Sequence, residues 1–225
     1  MNLPAHFIPN PWPFFSHFVL FFIVLYHVVK APWYKILQSD SQHIFFAAII
    51  ALSLVWSVKA GISPGLTMHF LGAMVFYLMF GYQFSIFGLL LVLTVVTIYG
   101  NSGWDSFSIN ALLMIIIPVF VCHQLFSFSD KKLPNNFFVY VLFNAFMGSA
   151  VAILSCLLAN TILLLNFDIY NYDKLAYEYL PFFPFLILPE ALLSGIIMSI
   201  IVAYFPTWVS TFDDSRYLKV NKDQD

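Results

Sequence analysis

The stretch LTMHFLGAMVFYLMF, residues 66–80, is apolar over nearly its whole length and contains one imidazole, His69, and no acidic, lysine or arginine side chain. Runs of about 17–25 such residues cross a bilayer as a helix, and a run of this composition has no surface that water would solvate. Similar runs recur along the chain at 14–30, 43–58, 84–99, 110–127, 136–165 and 180–206, separated by short polar breaks. None alternates with period two, which excludes a membrane β-barrel. The expected fold is therefore an all-α integral membrane protein with about seven transmembrane helices.

Composition agrees. Of the 225 residues, 61% are hydrophobic and 9% charged, and the mean hydropathy is +0.88, values that exclude an ordinary water-soluble domain. Cys122 and Cys156 both fall inside apolar runs, without the spacing of a metal knuckle or a disulfide framework. A net charge of −2 and the lack of a basic stripe exclude nucleic acid as a partner. No polar linker divides the chain, so residues 1–210 read as one polytopic membrane domain and 211–225 as a short cytoplasmic tail.

Basic residues set the expected orientation. With the N-terminus outside, Lys30, Lys35, Lys131, Lys132, Arg216, Lys219 and Lys222 all lie inside, against Lys59 and Lys174 outside. That asymmetry predicts N-out and C-in. The opening MNLPAHFIPNPWPFF lacks the basic region of a cleavable signal and is read as retained. The outer loop NFDIYNYDKLAYEY, residues 166–179, is aromatic and acidic and suits an interfacial lid. Trp12, Trp33, Trp56, Trp104 and Trp208 fall near helix ends, where interface anchors belong.

Chemistry is expected at the outer end. Placed on a helix, His69 shares a face with Gly65, Gly72 and Ala73, a small-residue face that points into a bundle. An inward imidazole there either satisfies a neighbouring hydroxyl or carbonyl or ligates a transition metal or polar solute. Met1, Asn2 and His6 in the N-terminal segment, His17 just beyond, and Asn101, Asp105 and Asn110 in the loop YGNSGWDSFSINALL gather at the same level. Glu190, in FLILPEALLSG, sits midway along the last helix, where a carboxylate costs about 2.5–3.5 kcal/mol unless paired or wetted. It is either a functional group or a hydrogen-bond partner for the turn broken by Pro189. His27, His43 and His123 fall at the inner end and read as packing or interfacial residues. Phosphate loops, the G-x-S-x-G elbow and H-E-x-x-H are all missing from the sequence, so nucleotide hydrolysis, serine hydrolysis and zinc proteolysis have no motif here.

Three stretches carry a family resemblance in order and spacing over residues 55–210: PGLTMHFLGAMVFYLMFG, LLLVLTVVTIYGNSGWDSFSINALLMIIIPVFV and LPEALLSGIIMSIIVAYFPTWV. Together they resemble the CbiM/NikM-like permeases, the substrate-binding S components of cobalt and nickel energy-coupling-factor (ECF) transporters, in a divergent bacterial branch. The resemblance implies an S-component bundle with an extra N-terminal helix in the bacterial inner membrane. It also implies a divalent transition metal as substrate with no tightly bound cofactor, no enzymatic activity, and a transmembrane coupling subunit plus ATPases as partners. In that family the N-terminal tip is tucked into the bundle, and the metal is held by the terminal amine, a second-position histidine with its backbone nitrogen, and the histidine of the glycine-rich helix. His69 matches the last of these. Position two is Asn2, so the family chelate is not formed and His6 is the substitute candidate. An altered metal site, a different small solute and a lost binding function on a retained fold all remain open. So does a non-transport scaffold or metalloenzyme assembly factor. Small-residue pairs Ala47/Ala51 and Gly148/Ala152 are candidate faces for the coupling subunit.

Overall fold

Gly81 decides how many helices the chain makes. In the computed structural model, which describes residues 3–4, 7–36, 39–61, 63–100 and 103–217, helix Ala73–Ile98 (α4) contains Gly81 at φ 80°, ψ 179°. That region is open essentially to glycine alone. The two limbs on either side, 73–80 and 82–98, fold back on each other. A Cβ placed on Gly88 would lie 2.7 Å from Cε1 of Phe76, whereas on one straight helix the two positions would be roughly 18 Å apart. The break expected between 80 and 84 is thus a tight helical hairpin.

Around that hairpin stand α1 (Trp12–Lys30), the short α2 (Trp33–Ile36), α3 (Ser39–Ser57), α5 (Phe107–Lys132), α6 (Val139–Asn166), the short α7 (Tyr172–Glu178), α8 (Phe183–Tyr204) and α9 (Asp214–Tyr217). Counting the two limbs of α4, seven apolar helical runs build the bundle, and the protein is an all-α, multi-pass membrane protein. Among the described residues there is no strand, only the isolated bridge Ala60–Met68. Both α5 and α6 contain π-helical turns, at Leu112–Ile116 and Val139–Met147.

Helix α1 lies outermost. Only Ser16, Leu20 and His27 are buried along it, and Phe14, Phe18, Phe21 and Phe22 face outward, as expected of a helix whose partner is lipid rather than water. The core forms where α3, α5, α6 and α8 close on the first limb of α4. Met74 fills the space above Gly148, whose Cβ would meet the Met74 methyl at 2.9 Å. Gly148 and the buried Ala152 are consequently used for internal packing and offer no face to a partner. Ala47 and Ala51 differ: both are exposed and line an apolar groove of about 620 Å³ with Val75, Ile197 and Ile201.

At the end of the bundle opposite His69, residues 205–217 pack back onto the helices. The backbone amides of Ser210 and Thr211 donate to the carbonyls of Met79 and Leu78 at 2.9 and 3.3 Å. Thr211 Oγ1 pairs with Tyr140 Oη at 2.7 Å, Phe212 stacks on Tyr217, and Arg216 bridges to Asp130 at 2.5 Å.

Candidate metal and solute site

His69 does not lie on a helix. Residues 58–61 and 63–72 belong to a loop folded against the end of the bundle, turned by two left-handed glycines, Gly65 at φ 77° and Gly72 at φ 70°. The expectation of a helix from residue 66 fails because Gly65 and Gly72 are left-handed and a distant side chain holds the end of the loop. The carboxylate of Glu190 accepts the backbone amides of Leu71 at 2.7 Å and Gly72 at 2.8 Å, which starts α4 at Ala73. A carboxylate aimed at the first free amides of a helix also meets the positive end of its dipole. Glu190 therefore repays its burial on the α4 loop and not on the turn broken by Pro189. It is 1% exposed.

The shared helical face of Gly65, His69, Gly72 and Ala73 is accordingly not the reason His69 points inward. The ring is 4% exposed because it packs on Trp56, with ring centroids 4.9 Å apart. Trp56 is itself fully buried and donates Nε1–H to Leu71 O at 3.2 Å; it braces this loop and does not anchor an interface. His69 Nδ1 lies 3.0 Å from Phe70 O. A carbonyl only accepts, so Nδ1 carries the proton and Nε2 keeps its lone pair. Burial pulls the imidazole's pKa down to about 3, so the ring is neutral, the form that ligates metals. On one side it borders a cavity of about 380 Å³ lined by Val58, Lys59, Phe182 and Phe185, walls that suit apolar contact better than a bare cation.

Asn110 holds the N-terminal segment inside the bundle. Its Oδ1 accepts Leu3 N–H at 2.8 Å and its Nδ2 donates to Leu3 O at 3.1 Å, while Ser106 Oγ donates to Pro4 O at 2.5 Å. Leu3 is completely buried. A Cβ on Gly65 would lie 3.2 Å from Leu3 and 2.9 Å from Phe7, so the His69 loop and the N-terminal segment are packed directly together. Met1, Asn2, His6 and Asn101 lie outside the described residues.

The loop 166–179 closes over the same region. Tyr170 Oη donates to Pro64 O at 2.9 Å, and Ser63 Oγ donates to Glu178 at 2.9 Å. Tyr170 also meets Phe7 edge to face. One further residue joins the site that sequence reasoning passed over: Asn160 of α6 donates through Nδ2 to Gly65 O at 3.3 Å and to Tyr179 Oη at 3.1 Å. The available signal was an amide inside an apolar span, which is expensive unless used.

Other expected participants separate from His69. His17 contacts its own helix at Pro13 O and, with Asp105, lines a shallow cavity of about 800 Å³ beside Pro9 and Phe14. His123, half-buried, packs against Tyr77 and Tyr82. Among the described residues, no three His, Cys, Asp or Glu side chains converge on one point.

Comparison with known proteins agrees with this architecture. Residues 2–208 match the family described as CbiM, the cobalt uptake substrate-specific transmembrane region. No curated protein sequence matches significantly. A crystal structure of a truncated transition metal transporter superposes with a TM-score of 0.71 at 19% identity, covering 92% of this chain and 99% of that one. A second, of a transition metal transporter, gives 0.68 at 19% identity, covering 92% and 93%. At that identity the likeness establishes a shared fold.

Proposed function

We propose a specific transport role from one premise: this chain belongs to the CbiM family, the cobalt uptake substrate-specific transmembrane regions. It is a membrane transport protein and not an enzyme. Its cargo, in our reading, is a divalent transition metal ion of the cobalt or nickel kind. The ion is bound at the His69 end of the bundle, with Nε2 of His69 as one ligand and the N-terminal segment supplying others from Met1, Asn2 or His6. Nitrogen-rich sets of this type suit Co(II), Ni(II) and Cu(II).

One observation carries this reading. A buried neutral histidine, its tautomer fixed by Phe70 O, is packed against a loop that touches an N-terminal segment gripped on both backbone groups by Asn110. That arrangement holds the imidazole and the N-terminal segment at one end of the bundle, as a shared ligand set requires. Glu190, Asn110 and the 166–179 loop serve as supports that fix the loop and cover it.

The protein then works as the substrate-binding component of an energy-coupling-factor importer in the bacterial inner membrane. Its N-terminus is outside, its C-terminus cytoplasmic, and it is joined to a transmembrane coupling subunit and ATPases. The exposed Ala47/Ala51 face supports such a contact. Metal content of the purified protein after exposure to Co(II) or Ni(II), in wild type and His69→Ala, tests the site. Equal content in the two proteins refutes the role given to His69.

A further inference from the structure

Asn160 has a hydrogen-bonding group to spare. Its side chain is completely buried, and its Nδ2 is committed to Gly65 O and Tyr179 Oη. Gly65 O can only accept, so the amide cannot turn over without setting its oxygen against a carbonyl oxygen. The orientation is fixed, and among the described residues Oδ1 has no hydrogen-bond partner. A buried acceptor in that state costs about 1–3 kcal/mol. Native proteins keep such atoms where something else satisfies them.

Its position narrows what that is. Asn160 meets the His69 loop at Gly65, where the loop packs on Leu3 and Phe7, and Asn110 grips the same segment through Leu3. Two buried amides thus bracket the contact between the loop and the N-terminal segment. Asn110 spends both of its polar atoms on that contact and Asn160 only one. An amide oxygen is a neutral acceptor that does not displace nitrogen ligands from a Co(II) or Ni(II) ion. It is well matched to the O–H of a water on such an ion, since a water polarised by a cation is a strong donor.

We infer that Asn160 Oδ1 is a recognition atom of the solute site, accepting a hydrogen bond from a water coordinated to the bound divalent cation. The inference rests on the metal-binding reading above and adds an outer-sphere contact to it. Asn160 orients the hydrated ion, while His69 ligates it.

Titration of the full-length protein in lipid nanodiscs with Co(II) chloride tests this with two variants. Asn160→Leu removes the oxygen and the Nδ2 donors; Asn160→Asp removes the donors but keeps an oxygen acceptor. The expected result is a Co(II) affinity about 10-fold to 100-fold weaker for Asn160→Leu, the range for outer-sphere partners of a bound metal. Asn160→Asp should stay within roughly threefold of wild type or bind more tightly. Equal weakening of the two overturns the inference, because the amide then acts only through Nδ2 on the loop. Wild-type affinity in Asn160→Leu overturns it as well. If Asn160→Leu does not fold, Asn160→Asp decides alone: retained affinity supports the oxygen's role and a tenfold loss refutes it. A wild-type protein that binds neither Co(II) nor Ni(II) overturns the metal reading itself, a separate failure visible before any variant is made.

Discussion

The carboxylate of Glu190 and the backbone of Gly72 are joined across 118 residues of sequence by a 2.8 Å hydrogen bond, with Leu71 N–H on the other oxygen at 2.7 Å. One side chain of α8 thereby fixes both the start of α4 and the end of the His69 loop. Glu190→Gln retains the shape, but its amide can accept only one of the two N–H groups and points its own donors at the other. The expected cost is about 1.5–3 kcal/mol, the range for hydrogen bonds to a charged partner. Amide exchange at Leu71 and Gly72 should accelerate together with a lower melting temperature in detergent. Unchanged protection at both amides would show that the cap is dispensable.

His69→Ala should remove Co(II) or Ni(II) binding by about 100-fold or more, beyond the loss typical of an outer-sphere partner. Trp56 and the Glu190 cap remain to hold the loop. Isothermal titration in detergent reads the affinity, and near-ultraviolet circular dichroism of the tryptophan environment checks that Trp56 keeps its place. A folded variant with wild-type affinity would move the metal elsewhere.

Asn110→Leu should release the N-terminal segment. Two neutral hydrogen bonds to Leu3 are lost, about 1–3 kcal/mol together at the usual 0.5–1.5 each. The expected signature is local: hydrogen exchange around residues 3–8 rises sharply while the core of α6 stays protected. Metal affinity should fall as well, because the segment no longer sits against Gly65. Protection of residues 3–8 equal to wild type would show that Ser106 and the apolar contacts suffice.

Gly81→Ala isolates backbone strain. Only Ser210 Oγ, at 3.6 Å, lies near a Cβ placed there, so space is available. The φ of 80° with ψ of 179° is what an alanine resists, at a cost of order 1–3 kcal/mol. The melting temperature should drop without any new steric contact. A neutral substitution would mean that the hairpin can turn by another route.

The seven apolar runs, including the break near Gly81, were legible because lipid imposes a simple rule on length and polarity. The loop 66–72 was not. Its composition matches a spanning helix, but left-handed Gly65 and Gly72 turn it and the distant Glu190 carboxylate holds its end. Trp56 misled for a related reason: a tryptophan at a helix end anchors an interface unless a loop folds over it, and the Leu71 carbonyl that receives its N–H sits on such a loop. Gly148 and Ala152 read as a docking face, yet Met74 occupies that space. The burial of His69 follows from the apolar run around it, but a loop packed on Trp56 encloses it and not a helical face. Asn160 escaped because one amide among leucines leaves the apolar pattern intact, although its cost in lipid was reason to ask what it does.

The first limb of α4, residues 73–80, is only about 12 Å long, and both of its ends are tied. Glu190 holds the amides that enter it, and Ser210 and Thr211 hold the carbonyls of Met79 and Leu78 that leave it. Two turns of helix leave little length over which to bend, so the histidine loop and the 205–217 strap are fastened to opposite ends of one short strut, with a left-handed glycine, Gly72 or Gly81, at each limit.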